Sequence, residues 1–486
     1  MNAYRKLFQN TFLYGLSTVI PRMISVFLLP LYTGVLENAS FGDYSILFVY
    51  FGILNVILAY GMETGFFRFY EGESDKQKVI NTSTWSIVGT TFIFLVMAWF
   101  NAERIATWIG FEVLLVKLMI AILVFDALAI IPFAWLRATQ QSGKFAVIKI
   151  VNVSVNFLLN IFLLLFLCDL ADQYTFFEAF YIDKFEVPYI FISGAVASLI
   201  TLVLLSNFFL QLKLQLDWDL WKRMMRYSYP VLIAGIAFTI NELVDRLLLD
   251  VMLDKETSRA QVGIYSACYK LGMFMTLFAT AFRLGIEPFF FSHAKTHNPQ
   301  RGYALITKYF ALIGSLILLV TIIFADVLKH FLIRDESFWE GMQIVPIILL
   351  ANLCLGIYHN LSVWYKVTDK TKVGAYISSL GALLTIIINL LLIPVFGFVG
   401  SALATLVAYG SMMLISYAVG QKYYPIPYAT KRIGAYIGTS IVLSTIYFYG
   451  FRENYWTGSL FILIFMALIY LLERKEIYQL IGKNVK

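Results

Sequence analysis

Charged residues are scarce in this chain of 486 residues, because Asp, Glu, Lys and Arg together make up only 14% of it. A soluble domain carries about 25% of such residues, so the scarcity argues against a soluble globular enzyme. Hydrophobic residues instead reach 60% and aromatic residues 17%. The composition predicts a polytopic membrane protein, with the lipid bilayer as its first partner.

Cysteine and long polar stretches are also rare. The three cysteines, Cys168, Cys268 and Cys354, are dispersed without Cys-x-x-Cys spacing, so we expect inert thiols rather than a disulfide framework. The four histidines show no metal-ligand spacing, and we expect no metal site. Short connections leave no room for a soluble catalytic domain, so the chain is not predicted to be an enzyme. The net charge of +7 lies in short loops and does not indicate a nucleic-acid partner.

Long apolar runs are what the chain does contain. About 14 stretches are long enough to cross a bilayer as helices of roughly 20 residues. We therefore predict an all-α polytopic membrane protein. The predicted spans are 8–34, 41–66, 80–100, 112–136, 145–168, 188–211, 228–252, 261–289, 303–326, 340–365, 373–394, 398–420, 431–450 and 457–472.

The distribution of basic residues orients these spans. The side that holds both termini carries 25 Lys and Arg residues, whereas the other side carries eight. Basic loops stay in the cytoplasm, so both termini are predicted to be cytoplasmic, in the inner (cytoplasmic) membrane of a cell. The longest connection on the outer side is then 169–187.

The chain contains an internal repeat whose two copies align without a gap. WLRATQQSGKFAVIKIVNVSVNFLLN matches WYKVTDKTKVGAYISSLGALLTIIIN, and one constant offset pairs Trp135 with Trp364 and Asn160 with Asn389. The period spans six helices, so both copies have the same orientation in the membrane. This predicts six-helix bundles at 1–215 and 216–425, related by a pseudo-two-fold axis along the membrane normal. A helix pair and a cytoplasmic tail follow at 426–486.

Several ionisable side chains fall inside the predicted spans, where a charge costs about 3 kcal/mol and faces protein or water. They concentrate in the stretch 241–291. If its turn is centred near Ser258, Arg246 and Lys270 are equally far from the centre along the chain and lie at the same depth. The cations are Arg22, Arg246, Lys270 and Arg283, and the acids are Glu63, Asp126, Glu242, Asp245 and Glu287.

Two interpretations of this set remain open. Glu242 and Arg246, like Arg283 and Glu287, have the i,i+4 spacing of ion pairs that hold helices together. Alternatively, the cations Arg22, Arg246, Lys270 and Arg283 line a central cavity and bind an anionic substrate. The acids Asp126, Glu242, Asp245 and Glu287 are then either their ion-pair partners or carriers of a coupling H⁺ or Na⁺.

Two residues stand apart within the set. Arg22 has no acid within four positions, so it is the strongest candidate for contact with a phosphate. The alternative for Arg22 is a partner on another helix, such as Glu242 or Asp126. Asp126 is the only acid in the interior of the fourth span, where it is either a coupling site or a buried structural acid.

Three phrases of the sequence resemble the polysaccharide-export flippases, the O-antigen and lipid-linked oligosaccharide family of the multidrug/oligosaccharidyl-lipid/polysaccharide exporter superfamily. DRLLLDVML followed by VGIYSACYKLGMF is similar to that family's seventh and eighth helices. INLLLIPVFGFVGSALATLVAYG is similar to its eleventh and twelfth helices, and the opening phrase LYGLSTVIPRMISVFLLPLYT also fits the family. The resemblance implies fourteen helices and translocation of an undecaprenyl-diphosphate-linked oligosaccharide from the cytoplasmic to the outer leaflet by alternating access, for surface polysaccharide synthesis.

Other functions are compatible with the residues. A cation-coupled multidrug efflux transporter of the same superfamily would use the acids near Asp245. A membrane acyltransferase or polymerase would use a residue such as His359, although neither a large outer loop nor a catalytic motif is present. A flippase would work alongside polysaccharide polymerase machinery, and the sequence does not specify the glycan, the energy source or the oligomeric state.

Overall fold

The computed structural model describes residue 24 and residues 26–293, 298–368 and 370–480. Its described regular structure is entirely helical, with no strand in these ranges. The chain forms two compact units, Met1–Asp250 and Val251–Lys486. The predicted all-α membrane fold is confirmed. The segment boundaries at residues 215 and 425 remain predictions.

The first unit contains α1 to α12. Because α7 continues through a π-helical segment, Phe162–Phe166, into α8, the polypeptide stays helical to Gln173. The helices are α1 Val26–Val35, α2 Asn38–Ala59, α3 Met62–Gly72, α4 Lys76–Phe100, α5 Ala102–Ile109, α6 Val113–Ala138, α7 Ser142–Ile161, α8 Leu167–Gln173, α9 Thr175–Glu178, α10 Glu186–Leu204, α11 Ser206–Phe209 and α12 Trp218–Met252.

The second unit contains α13 to α22. Two 3₁₀ segments interrupt its helices, Lys270–Gly272 after α13 and Glu336–Ile344 before α17. The helices are α13 Ser258–Tyr269, α14 Met273–His293, α15 Pro299–Ile323, α16 Ala325–Leu332, α17 Val345–Leu361, α18 Val363–Val367, α19 Thr371–Phe396, α20 Phe398–Tyr423, α21 Thr430–Gly450 and α22 Tyr455–Leu480.

Twelve helical stretches in the described ranges are long and apolar enough to cross a membrane. Each coincides with a predicted span. The two remaining predicted spans, 8–34 and 228–252, correspond to the short apolar helix α1 and to the charged helix α12. A total of fourteen crossings therefore stays a prediction, although every predicted range contains a helix.

Close contacts through glycine position α12 within the first unit. A Cβ added at Gly52 of α2 would lie 2.8 Å from the Leu243 side chain, and one at Gly61 would lie 2.6 Å from the Ser228 carbonyl oxygen. Gly61 also has φ +71°, a conformation that side chains disfavour. These contacts fix the helix that carries Asp245 and Arg246 against α2 and α3.

Two partly buried ion clusters hold α21 and α22 against α15 and α16 of the second unit. At one end, the Lys308 ammonium donates to Glu473 at 2.7 Å and to Glu476 at 2.6 Å, and Arg432 contacts the same two carboxylates. At the other end, Arg452 donates two hydrogen bonds to Asp326. The helix pair is therefore attached to α15 and α16 through charges as well as apolar packing.

Candidate functional site

The charged stretch of α12 contains a buried ion pair formed by adjacent residues. Asp245 and Arg246 are only 3% and 8% exposed, so both charges are withdrawn from solvent. The Arg246 side chain donates to the Asp245 carboxylate at 3.0 Å and to the main-chain carbonyl of Glu242 at 3.0 Å. The guanidinium is thus turned toward the start of its helix. Pairing offsets part of the free-energy cost of burying the two charges.

The sequence predicted that Glu242 would contact Arg246 through its i,i+4 spacing. The structure brings the two residues together, and the contact it defines runs from the Arg246 side chain to the Glu242 carbonyl oxygen. The neighbour Asp245 supplies the carboxylate. Sequence spacing alone did not indicate this i,i+1 pair, because neighbouring residues normally face different sides of a helix.

Lys270 lies at a break in the eighth predicted span. It begins the 3₁₀ segment Lys270–Gly272 that separates α13 from α14, and its side chain is half-buried. The Gly272 carbonyl accepts a hydrogen bond of 3.3 Å from the Asn352 side chain. A 3₁₀ stretch within a helix often marks a functional hinge, so this lysine stands on an irregular part of the backbone.

The predicted turn before Lys270 was misplaced. The structure ends α12 at Met252 and begins α13 at Ser258, so the non-helical segment is 253–257, centred on Lys255. The Asp254 carbonyl accepts from the amides of Thr257 and Ser258, which lets the polar stretch from Ser258 onward form the first helical turn. Arg246 then lies closer to the centre along the chain than Lys270 does, and the basis for expecting them at equal depth is lost.

Asp126 lies on α6 and has partners on two other helices of the first unit. The Ser198 hydroxyl of α10 donates to its carboxylate at 2.7 Å. Lys149 of α7 acts on it electrostatically, and that ammonium lies 4.3 Å from the centre of the Phe133 ring. The sequence analysis counted Lys149 among the basic residues of the terminal side, although it falls near the start of the span predicted at 145–168. Because Lys149 lies inside α7, it adds one cation to the four that were counted against five acids in the predicted spans.

Amide side chains on α7 extend this polar region, and sequence reasoning did not select them. Asn152 donates to the Thr201 hydroxyl of α10 at 2.9 Å. Asn160 donates to Asn156 at 2.6 Å and accepts from the Tyr32 hydroxyl at 3.0 Å. The available signal was the spacing of three asparagines at intervals of four along an otherwise apolar helix.

The remaining predicted site residues have simpler settings. Arg283 is exposed at the end of an apolar stretch that runs into α14. Glu63 pairs with Arg137 at the end of α6. Arg22 and the side chain of Glu287 lie outside the described residues. The described part of the chain contains no group of three or more residues suited to hold a metal ion.

Two family models match the sequence. A model described as polysaccharide biosynthesis protein matches residues 7–291, which is more than half of the chain, and the MatE model matches residues 230–391. A curated relative, an uncharacterized membrane protein of Methanocaldococcus jannaschii, is 25% identical over 193 residues. That match covers 39% of this chain and 44% of the relative, so the alignment spans less than half the relative's length.

Solved structures share the fold at low sequence identity. The lipid II flippase MurJ in an inward closed conformation gives a TM-score of 0.73 at 16% identity, covering 97% of this chain and 100% of MurJ. An inward-facing multidrug resistance transporter of the MATE family gives 0.63 at 11% identity, covering 88% of this chain and 96% of that one. A transporter of the same superfamily from Pyrococcus furiosus, whose binding pocket is described as having reversed polarity, gives 0.58 at 10%, with coverages of 88% and 96%. The chain shares the fold of these proteins and belongs to the polysaccharide biosynthesis protein family.

Proposed function

We propose that this protein is a flippase that moves an undecaprenyl-diphosphate-linked oligosaccharide from the cytoplasmic to the outer leaflet by alternating access. The carrying observation is the match to the polysaccharide biosynthesis family over residues 7–291. The product would enter synthesis of a surface polysaccharide, such as the O-antigen of lipopolysaccharide or an exopolysaccharide. Polysaccharide polymerase machinery in the same membrane would be the next partner.

The proposed recognition of an anionic, lipid-linked substrate rests on the cations of the predicted spans. A diphosphate that crosses the membrane keeps its negative charge and needs donors in a site with little water. An Arg side chain carries five donors and can grip phosphate in a bidentate manner, whereas Lys acts as a point charge. We assign this role to Arg22 and Arg246, with Lys270 and Arg283 as further cations.

Transport by purified protein tests this proposal. We would reconstitute it in vesicles with undecaprenyl-diphosphate-linked oligosaccharide and measure the fraction that a lectin or glycosidase reaches on the opposite side. Arg22→Ala should lower the transport rate at least about tenfold. Arg22→Lys should retain part of the rate, since Lys keeps the positive charge but cannot bind phosphate through two donors as the guanidinium does. Arg104→Ala is the matched control, because Arg104 is exposed on α5. Wild-type transport by Arg22→Ala at equal protein level would reject the role.

The proposed orientation has a separate test. Both termini would be cytoplasmic in the inner membrane, because basic residues are concentrated on their side. In intact cells that express variants with a single cysteine, a membrane-impermeant thiol reagent should label a cysteine placed at position 178 and leave one at position 297 unlabelled. The reverse pattern would invert the topology.

Cation-coupled multidrug efflux is the second candidate, and Asp126 is the observation that favours it. This acid sits on an apolar helix with Ser198 as a hydrogen-bond donor, a setting in which a carboxylate can take up H⁺ or Na⁺. The same acid could couple either ion to movement of the lipid-linked sugar. Deletion of the gene would distinguish the two functions. Loss of surface polysaccharide at unchanged drug sensitivity supports the flippase, whereas the opposite result supports efflux.

A further inference from the structure

One face of α7 carries a line of polar side chains through the first unit. Lys149, Asn152, Asn156 and Asn160 follow one another at intervals of three or four positions, which places them on one side of a helix. At about 100° per residue, Val147 and Leu158 fall on the opposite side, and these two are 59% and 62% exposed. We call the four polar residues the amide stripe. It faces away from the apolar, exposed side of α7.

The contacts of the stripe confirm its direction. Asn152 reaches Thr201 on α10, and Asn160 reaches Tyr32 on α1, so the stripe faces other helices of its own unit. Asn152 and Asn156 are half-buried rather than sealed. An amide group can make four hydrogen bonds, and the contact with Asn160 uses only the Oδ1 atom of the Asn156 side chain. The stripe therefore keeps hydrogen-bonding capacity in the interior of a membrane protein.

The internal repeat provides a comparison within the same chain. The offset that pairs Trp135 with Trp364 aligns the stripe with positions of α19. These positions are Ser378, Gly381, Thr385 and Asn389. Asn389 accepts a hydrogen bond of 2.6 Å from Ser401, so the last asparagine has a structural partner in both copies. The same helix of the second copy contains no counterpart of the amides at 152 and 156.

The two inner amides are thus not needed to build this helix. A polar group inside a membrane carries a free-energy cost unless it is paired. Because Gly381 and Thr385 stand at the equivalent positions of the second copy, the fold accepts smaller side chains there. The free-energy cost of keeping amide groups at Asn152 and Asn156 inside a membrane therefore points to a function specific to the first unit.

We propose that the amide stripe, with Asp126 and Ser198 beside it, binds the sugar hydroxyl groups of the substrate's oligosaccharide. This inference rests on the proposed flippase function and assigns one part of the substrate to one unit. A sugar hydroxyl both donates and accepts, and so do amide and hydroxyl side chains. The Tyr32 and Tyr44 rings lie near one end of the stripe, 5.3 Å apart, and aromatic faces suit the apolar faces of sugar rings.

The charge of this region agrees with a sugar rather than a phosphate. A diphosphate requires an excess of cations. Here Lys149 and Asp126 carry opposite charges and act on each other electrostatically. Arg137, the other cation near Lys149, is paired with Glu63, while the other stripe residues are neutral amides. Neutral hydroxyl groups are the ligands that such a surface can bind without an unpaired charge.

The test compares two lipids on purified full-length protein. We would measure the half-saturating concentration for thermal stabilisation by undecaprenyl diphosphate carrying an oligosaccharide and by undecaprenyl diphosphate without sugar. The variant is Asn152→Ala/Asn156→Thr, in which Thr copies Thr385 of the second copy. Ser154→Leu, on another face of α7, is the matched control. Loss of two hydrogen bonds should raise the half-saturating concentration for the sugar-bearing lipid about 5- to 30-fold.

The outcomes separate this inference from the proposed function. An increase confined to the sugar-bearing lipid supports the stripe as the sugar site. Equal values for the variant and the wild-type protein, or an equal increase for both lipids, would overturn it. If the double variant does not fold, Asn156→Thr alone is measured by the same criterion. If neither lipid stabilises the wild-type protein, the flippase proposal itself fails. If both lipids stabilise the wild-type protein equally, the flippase proposal stands and the sugar site is rejected.

Discussion

The hydroxyl of Thr139 donates a hydrogen bond of 2.8 Å to the main-chain carbonyl of Trp135, at the turn that follows α6. In the second copy, Thr368 donates to the Trp364 carbonyl at 2.7 Å, and the offset from the first copy is the same for both residues. The helix starts share this offset, since α7 begins at Ser142 and α19 at Thr371. The internal repeat is therefore visible in individual hydrogen bonds and not only in residue identities.

This shared contact predicts matched effects of mutation. Thr139→Val and Thr368→Val each keep the side-chain shape and remove one hydroxyl that donates a second hydrogen bond to a helix-end carbonyl. Each should lower the free energy of unfolding by about 1 kcal/mol, measured by thermal unfolding in detergent. Thr107→Val, which removes a similar bond to Glu103 on the exposed helix α5, is the control and should cost less. A large loss in only one of the two copies would show that the turns are not equivalent.

The positions of the spans were predictable because a helix that crosses a bilayer needs about 20 mostly apolar residues, and such a run is visible in the hydropathy of the sequence. Each predicted range contains a helix. The breaks inside helices were not predictable. The 3₁₀ segment at Lys270–Gly272 accepts a hydrogen bond from Asn352, a residue 80 positions beyond Gly272. Similarly, the charge of Asp126 was recognised in the sequence, whereas its donor Ser198 was not. Contacts across helices leave no periodic signal along the chain.

The ion cluster around Asp326 predicts a dependence of stability on pH. Burial opposes ionisation of this carboxyl, but hydrogen bonds from Arg452 and Lys329 outweigh it and hold its pKa below the ordinary value. A lowered pKa stabilises the fold above the unfolded-state value of about 3.9, and this stability is lost as pH falls through the folded-state pKa. Asp326→Asn should lower the unfolding temperature at pH 7 and reduce its change between pH 7 and pH 3. An unchanged pH profile would contradict this assignment.

The cluster at the other end of the helix pair predicts a charge-swap rescue. Lys308 is 2% exposed and bonded to Glu473 and Glu476. Lys308→Ala leaves the buried Glu473 carboxylate and the half-buried Glu476 carboxylate with less compensation and should cost about 3 kcal/mol. Lys308→Glu/Glu473→Lys should recover part of that loss relative to Lys308→Glu alone. Lys422→Ala, at an exposed lysine, should change stability by less than about 0.5 kcal/mol.

Asp126 leads to a prediction about ion coupling. If its carboxylate takes up the coupling ion, Asp126→Asn should remove the dependence of transport on a pH or Na⁺ gradient while the protein folds normally. Asn keeps the acceptor that the Ser198 hydroxyl uses, so the packing of α6 on α10 is retained. The measurement is transport into vesicles with and without each gradient. Gradient-driven transport at the wild-type rate by this variant would assign Asp126 a structural role.

Gly272 leads to the final prediction, because it ends the 3₁₀ break that starts at Lys270. A Cβ at this position would lie 2.6 Å from Cγ2 of Ile348 and 2.9 Å from Nδ2 of Asn352, too close for either atom. Gly272→Ala should therefore push α17 away, weaken the hydrogen bond from Asn352 and cost about 1–3 kcal/mol. Gly410→Ala is the matched control, since a Cβ there meets nothing within 4 Å and removal of a helical glycine should be neutral or stabilising. Gly272→Ala combined with Ile348→Ala opens space on one side and should unfold at a higher temperature than simple addition of the two single effects would predict. Equal unfolding temperatures for Gly272→Ala and Gly410→Ala would show that the backbone at the break has room to move, and the close contact with α17 would then not fix the position of Lys270.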